Sequence, residues 1–321
     1  MPASKRNPTE DRLTDDVLAL CWGAWAELGV SGWARTHQDW AIDPEPLVVF
    51  TASLGDLDPR LRDESLDWCI HYSRFVSRAR LKNLRSHATD LALADAWGEF
   101  SATVNARARA MWTGATHERE SYRVTGRSMI RPLTEASLVV LRMRAMFGLG
   151  ARAEILRHLL LREGTWATTA QLAASTFYTK RNVAQECEAL ELAGVLAMRS
   201  DSNRFYYSLA QPRTLAAFVG DLPSVRPDWR ALFRVVASLM ALDRAAAGLA
   251  DEVLTVETHR VVRDIERDLD ILGLPGPPKI RGADSWDGFR SWATLLLRDL
   301  GAGRWPAEQN SEHAEPPIQR A

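Results

Sequence analysis

Cysteine is scarce in this 321-residue chain: Cys21, Cys69 and Cys187 are its only three, scattered singly. None belongs to a C-x-x-C pair and none has a histidine at ligand spacing, which argues against a zinc centre, a dithiol redox site and a disulfide framework. They read as buried thiols within helical patterns. Long apolar runs are missing too, since none approaches the roughly 18 residues a membrane span needs. The opening MPASKRNPTEDR has no apolar stretch of the secretory kind, so the expected location is a reducing cytoplasm, with no membrane partner. Phosphate-binding G-x-x-x-x-G-K, dinucleotide-binding G-x-G-x-x-G, H-E-x-x-H and G-x-S-x-G are all absent, and the seven histidines are dispersed. His71 and His158 read as surface or satisfied residues. Neither catalysis, a cofactor nor a metal is expected. An excess of one charge is lacking as well: 40 Lys and Arg face 41 Asp and Glu, giving a net charge of −1. No global field draws such a protein to nucleic acid, and any anionic partner has to be held by a local patch.

What the chain does have is helix. Its 46% hydrophobic and 25% charged composition suits a globular protein with two or three real cores. The segments expected are a flexible start over 1–14, a Trp-rich helical domain over 15–131, a central domain with a lead-in helix over 132–212, a helical domain over 213–300 and a disordered tail over 301–321. The fold class is mainly α. Val17, Leu20, Cys21, Ala24 and Leu28 recur at helical spacing behind Thr14, a candidate N-cap, and Gly29 ends the run. Residues 62–84 read as one longer helix and 92–112 as another. The polar stretch from Thr113 to Arg131 reads as a linker, and "RDIERDLD", Arg263 to Asp270, as a salt-bridged exposed face. After Pro212 the remaining patterns are helical, with one run expected from Asp228 through Leu254. Seven of the twelve tryptophans, Trp22, Trp25, Trp33, Trp40, Trp68, Trp97 and Trp112, fall in the first domain. They could form an aromatic platform, but Trp22 and Trp25 share a face with apolar neighbours, which favours a core.

Strand signal concentrates in the middle. "ARAEILRHLLLREG" sets Ile155, Leu156, Leu159 and Leu160 on one stripe, and "TWAT" is a short extended piece. Thr168 and Gln171 have capping-box spacing at the start of a second helix. Thr179 can cap a third, in which Val183, Cys187 and Leu190 face inward. Arg181, Gln185 and Glu188 then point outward, with Asn182 and Ala184 on the flanks. Lys180 and Arg181 stand in its first turn, where the helix dipole disfavours cations unless an anion is near. Two β-prone runs follow, Val195–Arg199 and Arg204–Leu209, joined by Ser200-Asp201-Ser202-Asn203 as a hairpin.

The quoted pieces "AEILRHLL", "TAQLAAST", "NVAQECEALELAGVL" and "NRFYYSL" resemble the winged helix-turn-helix domains of bacterial regulators, the ArsR-like and MarR-like repressors. The resemblance covers about 151–209. It implies double-stranded DNA as partner, contacted by Thr179, Lys180, Arg181, Ala184 and Gln185 of the helix and by Arg199 and Arg204 of the wing; Asn182 and Asn203 complete the candidate set. Metal sensing of the ArsR type is not expected, since no ligand cluster has the spacing. From 151 to 213, eight Lys or Arg face six Asp or Glu, a net charge of only +2. Dimerisation would double that patch. The leading expectation is therefore a homodimeric, sequence-specific transcriptional regulator of the repressor or autoregulator class. The alternative is an adaptor or antitoxin-like protein whose winged helix and helical domains bind another protein.

Overall fold

Proline starts and glycine stops define much of the architecture. The computed structural model describes residues 8–85, 91–162, 164–278 and 285–306. Helix α1 (Pro8–Leu28) buries the expected stripe Val17, Leu20, Cys21, Ala24 and Leu28. Gly29 follows it at φ 102°, a conformation L side chains resist. The helix does not start behind Thr14. It begins at Pro8, whose missing N–H is no loss in a first turn.

Helices α2 (Pro44–Ser53) and α3 (Pro59–Tyr72) also open on proline. Asp58 caps α3 by accepting the Leu61 N–H at 2.9 Å and takes the Trp22 indole N–H at 2.7 Å. The single helix expected over 62–84 is broken. A 3₁₀ turn (Ser73–Phe75) follows α3, Val76 is extended, and α4 (Arg78–Arg85) starts afresh. The cause is distant in sequence: the Ser77 N–H donates to the buried Glu45 carboxylate at 2.6 Å, which takes it out of a helical ladder. Helix α5 (Leu91–Ala108) comes next. The segment expected as a linker is irregular but tied down, because buried Asp67 accepts the N–H groups of Thr125 and Gly126 at 2.8 Å and of Ser128 at 3.2 Å.

A second 3₁₀ turn (Ala136–Leu138) leads into α6 (Val139–Phe147), then α7 (Ala151–Leu161), β1 (Ala167–Thr168), α8 (Thr169–Thr176), α9 (Lys180–Leu192), β2 (Leu196–Asp201), β3 (Arg204–Leu209), α10 (Pro212–Val219), α11 (Trp229–Ala246), α12 (Asp251–Leu272) and α13 (Ser285–Gly301). The described chain is mainly helical, with one three-stranded antiparallel sheet in the order β1-β3-β2. The hairpin is tighter than expected. Strand β2 runs on to Asp201, so the turn shrinks to Ser202-Asn203, with Ser202 at φ 53°. The run expected from Asp228 through Leu254 also divides, because Asp251 and Glu252 are acidic residues suited to the start of α12.

Two compact units result, one of Leu18–Arg230 with Gly301–Gly303 and one built mainly from Ala231–Leu300. The Trp-rich helices and the segment carrying the sheet, separated at Arg131 in the sequence reading, belong to the same unit. Trp22, Trp25, Trp40, Trp68, Trp97 and Trp112 are buried there, as the core reading requires. Trp25 meets Trp68 edge to face at 5.5 Å, and Trp97 stacks on Trp112 at 5.7 Å. Trp33 departs from that reading, being 45% exposed while it stacks on Trp22 at 5.8 Å. In the other unit Leu254, Ile265, Leu269 and Leu272 line the buried side of α12. Asp268, expected on a solvated face, is buried there and paired with Arg234. Of the expected flexible start over 1–14, residues 1–7 lie outside the described residues and 8–14 belong to α1; of the expected tail over 301–321, Gly301 closes α13 and residues 307 onward lie outside the described residues. Among the described residues no helix is long and apolar enough to cross a membrane.

Candidate nucleic-acid interface

The region from α7 to β3 is built on one cluster of buried side chains, including Ile155, Leu156, Leu159, Leu160, Leu172, Val183, Cys187, Leu190, Leu196, Tyr207 and Leu209. Helix α8 starts with a complete capping box: the Thr168 hydroxyl accepts the Gln171 N–H at 3.2 Å, and the Gln171 side chain accepts the Thr168 N–H at 2.8 Å. It ends at Phe177, a non-glycine residue at φ 59°. Thr179 then caps α9 by accepting the Asn182 N–H at 3.3 Å, so its hydroxyl lone pair is engaged in the helix itself.

Burying Val183, Cys187 and Leu190 fixes the rotation of α9. Lys180, Arg181, Gln185 and Glu188 are consequently exposed, while Asn182 and Ala184 are half-buried. The first turn of α9 holds Lys180 and Arg181 and no carboxylate. Its acidic residues differ in effect. Glu186 is paired with Arg152 at 2.9 Å, whereas Glu188 and Glu191 are exposed. Glu154, one of the six acidic residues of the segment, is buried and never reaches the surface.

On the hairpin, strand register sorts the candidates. Arg199 lies opposite Tyr206 and Asp201 opposite Arg204, so these four side chains share one face of the hairpin. The Arg199 guanidinium sits over the rings of Trp166 at 4.5 Å and Tyr206 at 5.4 Å. Arg204 is exposed beside the tip with Asn203, and Asp201 on the same face offsets part of its charge. The other face carries Leu196, Tyr207 and Leu209 into the core and then leaves Met198 44% and Phe205 55% exposed. Leu192, at the end of α9, is 88% exposed. Those apolar positions were not singled out from the sequence, where they read as ordinary strand and helix residues.

The anchorage of the α8–α9 turn was missed as well. Ser77, Arg80 and Asn83, three residues apart along α4 and its cap, reach three consecutive turn residues. Asn83 donates its amide N–H to the Phe177 carbonyl at 2.8 Å, and Arg80 Nε donates to the Thr176 carbonyl at 3.1 Å. The hydroxyls of Ser77 and Tyr178 are 2.8 Å apart. The spacing places the three on one helical face, but nothing local names the partner.

Arg80 belongs to a buried charge cluster with Asp43, Glu45, Arg144 and Glu154. Arg144 joins Glu45 at 2.8 Å to Glu154 at 2.7 Å, tying α2 to α7 through α6. Burial pushes the Glu154 carboxyl up, but Arg80, Arg144 and Arg157 outweigh it and hold the group at about 2. On the next turn of α7, burial, with Arg162 and Arg157 nearby, drives His158 down to about 3, so the imidazole is neutral. Among the described residues no group of three His, Cys, Asp or Glu side chains is arranged to hold a metal ion.

No protein-family model matches the chain, and no curated protein or solved structure matches it.

Proposed function

We propose that α7 to β3 is a winged helix-turn-helix through which the protein reads duplex DNA as a transcriptional regulator, with α9 as the reading helix and the β2–β3 hairpin as the wing. The observation that carries this reading is the joint exposure of Lys180, Arg181, Gln185 and Arg204 while the opposite side of α9 is locked into the core. A guanidinium can pair with guanine or phosphate and a glutamine amide with adenine, so that face offers both positioning and sequence contacts. An anionic backbone beside the first turn of α9 would also relieve the repulsion between Lys180, Arg181 and the helix dipole. A homodimer suits so modest a patch, because two copies double the neutralised phosphates and set half-sites about 34–36 Å apart. On this reading the protein works in the cytoplasm.

The test is fluorescence anisotropy with a duplex from upstream of its own coding sequence and with a scrambled duplex, across a salt series. Preferential, salt-sensitive binding is expected, with Lys180→Ala/Arg181→Ala reducing the log–log salt slope by about two. Absence of binding even at low salt would overturn the reading. A second reading, a protein-binding adaptor, is favoured by exposed Leu192, Phe205 and Met198 together with Glu188 and Glu191, which give the far end of α9 and the hairpin an apolar and acidic character.

A further inference from the structure

At the end of α7, beside the α8–α9 turn, a cleft of about 60 Å³ opens between Arg157, Arg162, Arg226, Phe177 and Trp229. We propose that this cleft is a binding site for a small oxyanion of phosphate size. It is separate from the exposed face of α9, and its existence does not depend on DNA binding.

Three guanidinium groups border one small space. Arg226 donates to the carbonyl of Leu161, the last residue of α7, and to that of Pro223. Those bonds aim its charge at the cleft and satisfy a helix-end carbonyl that would otherwise repel an anion there. Arg157 pairs with Glu154 through Nε at 3.0 Å and Nη2 at 2.9 Å, which leaves its remaining N–H groups for another acceptor. Arg162, the cap residue directly after α7, is exposed. Two carboxylates also line the cleft. Asp43 is already engaged by Arg80 through both of its oxygens, and Asp228 stands just before α11. With Asp43 neutralised in that way, the cleft keeps a positive balance. His158, which also lines the cleft, is neutral, chiefly through burial, with Arg162 and Arg157 adding to the effect.

Size selects the class of ligand. One water needs about 10–15 Å³ of such space, so the cleft holds about five heavy atoms. That suits a tetrahedral oxyanion or a short carboxylate, which guanidinium forks bind in a bidentate way. A nucleotide is too large. Phe177 is both a wall of the cleft and the left-handed residue of the turn that aims α9, so an occupant would touch the turn directly.

The test uses the full chain without DNA, in a phosphate-free buffer, by isothermal calorimetry and thermal unfolding. Inorganic phosphate and acetate are titrated separately against potassium chloride at matched ionic strength, with a nucleoside monophosphate as the oversized control. Saturable millimolar or tighter binding of phosphate or acetate is expected. Tm should rise by several degrees at a hundredfold excess over Kd. Arg162→Gln, chosen because it is exposed, and Arg226→Gln, checked for folding by circular dichroism, should each weaken binding at least tenfold. The proposal fails if both anions shift Tm no more than chloride, if a folded variant binds as the wild type does, or if the nucleotide binds more tightly than phosphate. Because no DNA is present, a negative result here leaves the DNA reading intact, and a negative DNA result leaves this one intact.

Discussion

Arg80 shows how much one side chain can decide. Its guanidinium is shared between Asp43 and Glu45, its Nε holds the Thr176 carbonyl, and it lies 5.4 Å from the ring centre of Phe177. Burying such a cation costs several kcal/mol, which only a full set of partners offsets. Arg80→Met should therefore destabilise the protein by about 3–5 kcal/mol in urea unfolding, since it strands carboxylates in the interior. A loss below about 1 kcal/mol would show that the cluster does not hold the turn. His158 gives a pH prediction whose sign follows from its depressed pKa. Its contribution is fully present above the unfolded value of 6.5 and is lost as pH falls from there toward about 3. Stability should fall by roughly 1 kcal/mol over the first pH unit below that value. The loss deepens below 4.5 as Glu154 begins to protonate toward its folded value of about 2. Urea unfolding at pH 7, 5.5 and 4.5 checks this, and His158→Gln should flatten only the upper part of the profile. None of these roles was legible in the sequence, where Arg80 and Glu154 look like ordinary helix charges; burial, not residue type, made them structural.

At the scale of elements, short-range physics was legible and long-range physics was not. The capping box of α8, the Thr179 cap of α9 and the stripes of both helices came directly from spacing, because a cap and the N–H it satisfies are three residues apart. Thr168→Ala should accordingly cost about 1 kcal/mol, read by thermal unfolding. A change within error would mean that α8 is held entirely by its packing. The break between α3 and α4 was invisible for the opposite reason: its cause, Glu45, lies 32 positions from Ser77. The grip of α4 on the α8–α9 turn spans still longer separations. Asn83→Ala removes the bond to the Phe177 carbonyl and should speed amide exchange in residues 176–179 selectively, with about 1 kcal/mol lost overall. Uniform acceleration across the chain would point to general destabilisation instead.

For the whole molecule, a net charge of −1 makes any hold on DNA local and steeply dependent on salt. If two copies share the task, sedimentation equilibrium should find a dimer, and titration should find one duplex per two chains; one duplex per chain would remove the symmetric half-site arrangement. Composition and periodicity were enough to establish a mainly helical chain, the buried cysteines, the tryptophan-rich core and the outward set Arg181, Gln185 and Glu188. Those properties depend on averages or on neighbours within a turn or two. Only the tertiary structure decided that the Trp-rich helices and the sheet share one unit, that Glu154 and Asp268 are interior charges, and that Arg157, Arg162 and Arg226 meet at one cleft. Each of these joins residues far apart in the chain, and their meeting depends on how whole elements pack, which no local pattern encodes.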